Sequence, residues 1–167
     1  MSDAGVAATA AVIAACAAIA SAVISALTSY AASRRSGVQK IAEFRKEWIE
    51  NLRTHFAEFH STCAEISVVV KQYDNARDNN AKDRIGEEMK AKMGRLSYLH
   101  NYIVLMLNPA EQLHQQMEEK LRAMRLSLLK TTEHPQIVDQ QPLDLKAFSE
   151  LARKILKAEW NRLKSET

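Results

Sequence analysis

The amino-terminal run of residues 4–33 reads AGVAATAAVIAACAAIASAVISALTSYAAS, and it contains no charged residue. Alanine supplies most of it, and the few larger aliphatic residues are valines, isoleucines and one leucine. A helix of this length extends roughly 45 Å, which exceeds the hydrocarbon core of a bilayer, about 30 Å. The run therefore predicts one transmembrane helix, residues 4–33, followed by a separate domain, residues 38–167.

The run has two other interpretations. A cleaved signal peptide has a basic amino-terminal region and a short apolar centre, whereas here the only charged residue before the run is Asp3. Alanine also carries little apolar area and is the best helix former. A helix that packs inside a soluble assembly therefore remains open as an alternative to a membrane span.

On a helical wheel the run separates its side chains by size rather than by polarity. The larger side chains fall within less than half a turn: Val6, Val12, Ile13, Ile19, Val23, Ile24 and Leu27. The opposite side carries a ridge of alanines spaced by four: Ala10, Ala14, Ala18, Ala22 and Ala26. Small residues let two helices approach closely in lipid. We therefore expect the bulky face to contact the lipid bilayer and the alanine face to pack against another copy, which predicts a homo-oligomer.

Positive charge follows the run and does not precede it. Arg34, Arg35, Lys40, Arg45 and Lys46 all lie on its carboxyl-terminal side. The positive-inside rule then places the following domain in the cytoplasm. Beyond this cluster acidic and basic residues alternate, and the net charge is only +3, so we expect no nucleic-acid partner.

The fold class predicted for the remainder is all-α, a bundle of about four long helices. Only four glycines and three prolines occur in the whole chain, and no strand-like alternation is present. The expected helices cover about residues 38–73, 81–107, 109–131 and 145–163, with polar connections at DNARDNN (74–80) and EHPQIVDQQP (133–142). Apolar residues of the first helix follow a coiled-coil-like heptad from Ile41 through Phe44 to Tyr73, and this helix could continue the membrane helix.

The sequence YIVLMLNPAE (102–111) predicts an abrupt change from the second helix to the third. The apolar residues from Leu105 to Leu107 are expected to be buried. Asn108 is a favoured helix N-cap, Pro109 suits the first helical position, and Glu111 completes a capping-box pattern. On this interpretation Asn108 and Glu111 are a helix cap, and replacing Asn108 by Asp should be nearly neutral.

Residue patterns that support catalysis or metal binding are weak. Glu111 and His114 have the Glu-x-x-His spacing of di-metal helical bundles, but such sites need two of these pairs and further glutamates. Cys63 lies on a predicted core face and Cys16 in the apolar run, which does not suggest a disulfide. No phosphate-binding loop or nucleophile motif is present. We therefore expect no enzyme activity, no cofactor and no metal.

Three short segments resemble a family of uncharacterised small membrane proteins from bacteria and phages: FRKEWIENLR (44–53), LMLNPAEQLH (105–114) and ILKAEWNRLK (155–164). The resemblance implies a membrane-anchored helical architecture and no known activity. With the positive-inside rule it suggests a single-pass protein of the bacterial inner membrane.

These observations favour a membrane-anchored helical scaffold or interaction protein, self-associating through its alanine-rich helix and binding a protein partner that the sequence does not identify. The alternative is a membrane-active effector, pore-forming or holin-like, in phage–host conflict. Weakly hydrophobic helices with a face of small residues can line a membrane pore or change position within a pore-forming assembly.

Overall fold

The computed structural model describes residues 3–133 and 144–166. Side chains are described throughout these ranges except at residues 3–17, 19, 20, 31, 35, 38, 133 and 166. The described residues form four helices and no strand. The helices are α1 (Asp3–Asn75), α2 (Asn79–Met106), α3 (Gln112–Glu133) and α4 (Leu145–Glu166). The all-α fold class is confirmed, while the predicted loop 133–142 lies outside the described residues apart from the backbone of Glu133.

Among the described residues, no helix offers a segment long and apolar enough to cross a membrane. This finding lends no support to the predicted transmembrane helix. Residues 4–17, 19, 20 and 31 of that helix lie outside the described side chains. The membrane span therefore stays a prediction.

The uncharged run, residues 4–33, and the first predicted bundle helix belong to one continuous helix, α1. Gly37, the only glycine between them, is helical, and a side chain there would meet nothing within 4 Å. The chain nevertheless divides into two compact units. The first comprises Met1–Arg45 and Glu166–Thr167, and the second comprises Lys46–Ser165.

The second unit is built around one hydrophobic core to which all four helices contribute. The predicted heptad of α1 faces this core from Leu52 to Val70, and apolar residues of α2, α3 and α4 face it as well. Side chains with no exposed surface include Leu52, Phe59, Cys63, Ile66, Leu96, Leu99, Ile103, Met117, Leu121 and Ile155. The 3.6-residue periodicity of the sequence thus predicted the core faces correctly.

Helix α4 packs on α1 through an aromatic cluster. The Phe148 ring lies edge-on to Phe56, with centroids 5.8 Å apart, and 5.4 Å from the Phe59 ring. The helix begins where the sequence predicted, because the Asp144 carboxylate accepts the backbone N–H of Ala147 at 2.9 Å. This hydrogen bond, followed by an ion pair with Lys120, holds the pKa of Asp144 below its ordinary value.

Three residues that belong to predicted apolar patterns lie at the surface. Ile41 and Phe44 are exposed although they continue the heptad of α1, since the bundle core begins only at Ile49. Leu105 is 86% exposed, while its neighbours Ile103 and Leu107 are buried. The prediction that Leu105 is buried was wrong, because an apolar run on a helix still turns one residue in three or four towards solvent.

Candidate functional site

The connection from α2 to α3 is a tight turn held by its own side chains. The Asn108 side-chain oxygen accepts the backbone N–H of Ala110 at 3.1 Å, and the Asn108 backbone carbonyl accepts the N–H of Glu111. The Asn108 amide nitrogen donates to Glu111 Oε1 at 3.0 Å. The turn therefore uses both ends of the Asn108 amide, and α3 begins only after it, at Gln112.

His114, on the first turn of α3, hydrogen-bonds back to the α2–α3 turn. Its side chain is 3% exposed, and its Nδ1 accepts the backbone N–H of Asn108 at 2.9 Å. Since an N–H group faces Nδ1, that nitrogen carries no proton in this arrangement and the ring proton lies on Nε2. Nε2 lies 4.0 Å from Glu111 Oε2. The Trp48 ring of α1 lies beside the imidazole, with centroids 6.5 Å apart.

Helix α4 brings two further charged residues to the same place. Arg162 donates two parallel hydrogen bonds to the Glu111 carboxylate, at 3.1 and 3.2 Å. The same Nη1 atom lies 3.1 Å from Oε1 of Glu159, whose residue surface is only 4% exposed. Arg162 thus joins a carboxylate of the turn to a buried carboxylate of α4. Its guanidinium is the main reason that the pKa of Glu111 is below the ordinary value for a glutamate.

Glu111, His114 and Glu159 place one potential metal-ligating atom each within 4.8 Å of one another. Two features of the arrangement oppose a metal ion there. The Arg162 guanidinium already lies between the two carboxylates and supplies the positive charge. The free nitrogen of His114 carries the ring proton, and a metal would require that proton to leave. The cluster is therefore best described as a clamp of ion pairs between α4 and the α2–α3 turn.

The structure places the predicted site residues in two separate regions. Asn108 and Glu111 lie in the turn, but Glu111 bonds the Asn108 amide rather than its backbone N–H, which goes to His114. The alanines Ala18, Ala22 and Ala26 are exposed on α1 of the first unit. Ala10 and Ala14 lie outside the described side chains.

Sequence reasoning missed Glu159 and Arg162. A signal for Glu159 exists, because it lies four residues from Ile155 and four from Leu163, both buried on one face of α4. A carboxylate at a core position predicts a buried partner. Its partner Arg162 is only three residues away, but the second carboxylate that Arg162 binds, Glu111, lies 51 residues from Arg162 and could not be found in this way.

Two other features of the second unit, the Cys63 thiol and a groove between α1 and α2, lack the groups that a catalytic site needs. Burial raises the pKa of the Cys63 thiol to about 12, so this cysteine is not nucleophilic at neutral pH. A shallow groove of about 350 Å³ runs between α1 and α2, with Val68 and Val69 on its wall. A Lys92–Glu65 ion pair of 2.7 Å borders this groove. Neither feature assembles a base, a nucleophile and an oxyanion donor.

Comparisons of the chain with protein-family models, with curated proteins and with solved structures found no match. The resemblance to small membrane proteins of bacteria and phages therefore stays a prediction.

Proposed function

We propose that this chain is a membrane-anchored helical interaction protein of the bacterial inner membrane. Residues 4–33 span the bilayer once, and the bundle Lys46–Ser165 provides a cytoplasmic platform for a protein partner. The observation that carries the proposal is the absence of any charged residue from residues 4–33 of α1. Thirty uncharged residues are unusual on the surface of a water-soluble helix, which is normally polar on its solvent face.

The described part of this run fits a lipid environment. Val23, Ile24, Leu27 and Tyr30 are all more than half exposed, so no part of the described chain covers them. Tyr30 lies near the end of the run and Arg34 follows it, as tyrosine and basic residues do at the cytoplasmic interface of a bilayer. Transfer of apolar side chains from water to lipid, or to the face of a second helix within the bilayer, is favourable.

Exposed aromatic side chains on the surface of the bundle support a binding role. Some charged groups of the bundle form ion pairs between helices, such as Arg162 with Glu111 and Lys92 with Glu65. Its surface also exposes a row of aromatic side chains on α2, where Tyr98 and Tyr102 lie 5.9 Å apart and His55 of α1 stacks on Tyr102 at 4.3 Å. Exposed tyrosines are enriched at protein interfaces.

The experiment is alkaline carbonate extraction of membranes from cells that express the full chain. We expect the protein to stay in the membrane pellet, and a variant that lacks residues 4–33 to appear in the soluble fraction. A second variant, Ile19→Lys with Val23→Lys, places two like charges in the middle of the run and should weaken retention, since each costs roughly 3 kcal/mol at a bilayer centre. Complete extraction of the unaltered chain would refute the anchor.

A further inference from the structure

A stripe of large apolar side chains lies uncovered on α1 of the first unit. It consists of Val23, Leu27, Tyr30, Ile41 and Phe44, all at least half exposed, with Tyr30 and Phe44 each 70% exposed. Bulky side chains in this number rarely remain in water on a stable protein. The stripe therefore indicates a surface that another molecule covers.

The spacing of the stripe is that of a coiled coil. Steps of four and three residues lead from Val23 to Leu27 and Tyr30, and again from Ile41 to Phe44. Arg34 and Gly37 occupy the two intermediate positions in the same phase. A 3.5-residue repeat keeps one face of a helix against a partner helix along its length. Gly37 adds no bulk and lets a facing backbone approach closely.

Lipid cannot cover the whole stripe. Phe44 lies eleven residues beyond Ser33, the end of the uncharged run, which is about 16 Å along a helix. Lys40, Glu43 and Lys46 surround it and are exposed. Charged residues of both signs on the same turns keep this part of α1 in water, so any surface that covers Ile41 and Phe44 belongs to a protein rather than to lipid.

The exposed area is sufficient for a second copy of the same helix. An aromatic side chain carries roughly 150–250 Å² of accessible surface, and aliphatic side chains are smaller. With roughly 200 Å² for each aromatic and about 150 Å² for each aliphatic side chain, the exposed fractions above give about 550 Å² on one helix. Two copies would then bury about 1,100 Å², more than the roughly 1,000 Å² that a specific protein interface requires.

We infer that a second copy of this chain covers the stripe, as a parallel pair of α1 helices in which each residue of the stripe faces its own counterpart. The parallel direction rests on the proposed function, because two copies anchored in one membrane enter it from the same side. Arg34 also lies in the stripe, and its long side chain can turn its charge outward to water. The pair is separate from the predicted alanine face, which lies on the opposite side of the helix.

Disulfide crosslinking of the full chain in native membranes tests the inference. In a Cys16→Ala background, Ile41→Cys and Phe44→Cys probe the stripe, and Gln39→Cys and Glu43→Cys are matched controls on the opposite face. Cys63 stays in place because it is fully buried. Under copper–phenanthroline oxidation we expect at least fivefold more dimer on non-reducing gels at residues 41 and 44 than at 39 and 43.

Equal crosslinking at all four positions, or a product with another protein instead of a dimer, would overturn the inference. Ala22→Cys and carbonate extraction test the proposed function separately. A crosslinked dimer at Ala22→Cys but not at residues 41 and 44 would refute the contact through the stripe and would be consistent with a membrane-anchored oligomer. If residues 41 and 44 crosslink but carbonate extracts the protein from the membrane, the membrane anchor is refuted and the contact between two copies is retained. As a second variant, Ile41→Asn with Phe44→Asn should abolish the stripe dimer without changing the urea unfolding of the bundle.

Discussion

Replacing Arg162 by Ala tests whether the clamp between α4 and the α2–α3 turn stabilises the bundle. The substitution removes two hydrogen bonds to Glu111 and leaves the Glu159 carboxylate, 4% exposed, without its cation at 3.1 Å. Removing one partner of a fully buried ion pair costs about 3–5 kcal/mol. Because the Arg162 side chain is 44% exposed, solvent screens part of this, and we expect a loss of about 2–3 kcal/mol.

The assay is urea unfolding of the full chain in mild detergent, followed by tryptophan fluorescence. Both tryptophans, Trp48 and Trp160, belong to the unit Lys46–Ser165, so the signal reports on the bundle. The expected loss corresponds to a fall of about 1 M in the urea midpoint.

Two further variants separate the clamp from a general effect of losing an arginine. Arg53→Ala removes an exposed pair with Glu50, 2.8 Å apart, and should change stability by less than about 0.5 kcal/mol. Adding Glu159→Gln to Arg162→Ala removes the unpaired buried charge and should restore at least half of the loss. The reasoning fails if Arg162→Ala is as mild as Arg53→Ala, or if Glu159→Gln rescues nothing.

Further predictions concern single positions in the bundle. Asn108→Asp should destabilise by about 1 kcal/mol, as much as Asn108→Ala, because the Asn108 amide donates to Glu111 and a carboxylate would repel it; a neutral effect in urea titrations would contradict this. The pKa of Glu111 is lowered, so its contribution to the free energy of unfolding is complete above the ordinary glutamate pKa and declines as the pH falls through the lowered value. Glu111→Gln should therefore flatten the acid side of a curve of stability against pH. An unchanged curve would show that Glu111 is not the source of the acid dependence. In a Cys16→Ala background, Cys63 should resist a thiol reagent at pH 8 until urea unfolds the chain; rapid labelling of the native protein would be inconsistent with its pKa of about 12. Phe148→Ala should cost about 3–5 kcal/mol in the same urea assay, whereas Phe44→Ala, exposed in the first unit, should leave the bundle midpoint unchanged.

The Asn108 prediction shows how the structure changed an expectation drawn from sequence. An N-cap needs only a side-chain oxygen, and Asp supplies one as well as Asn does. The structure adds a second contact, from the Asn108 amide nitrogen to Glu111, which Asp cannot make. The sequence contained no sign of this contact, because the capping-box pattern pairs Glu111 with the backbone instead.

The sequence by itself determined the all-α class, the core faces of the helices and the start of α4 at Leu145. These features depend on interactions within a few residues, such as the 3.6-residue repeat that buries Leu52 through Val70 and the cap on Ala147. Only the tertiary structure decided that Glu159 is buried beside Arg162 and Glu111, and that Ile41 and Phe44 are uncovered. The type of side chain at a helix position sets which environment is favourable for it, buried or paired with an opposite charge. Whether the side chain reaches that environment depends on the neighbouring helix, which lies tens of residues away in the chain.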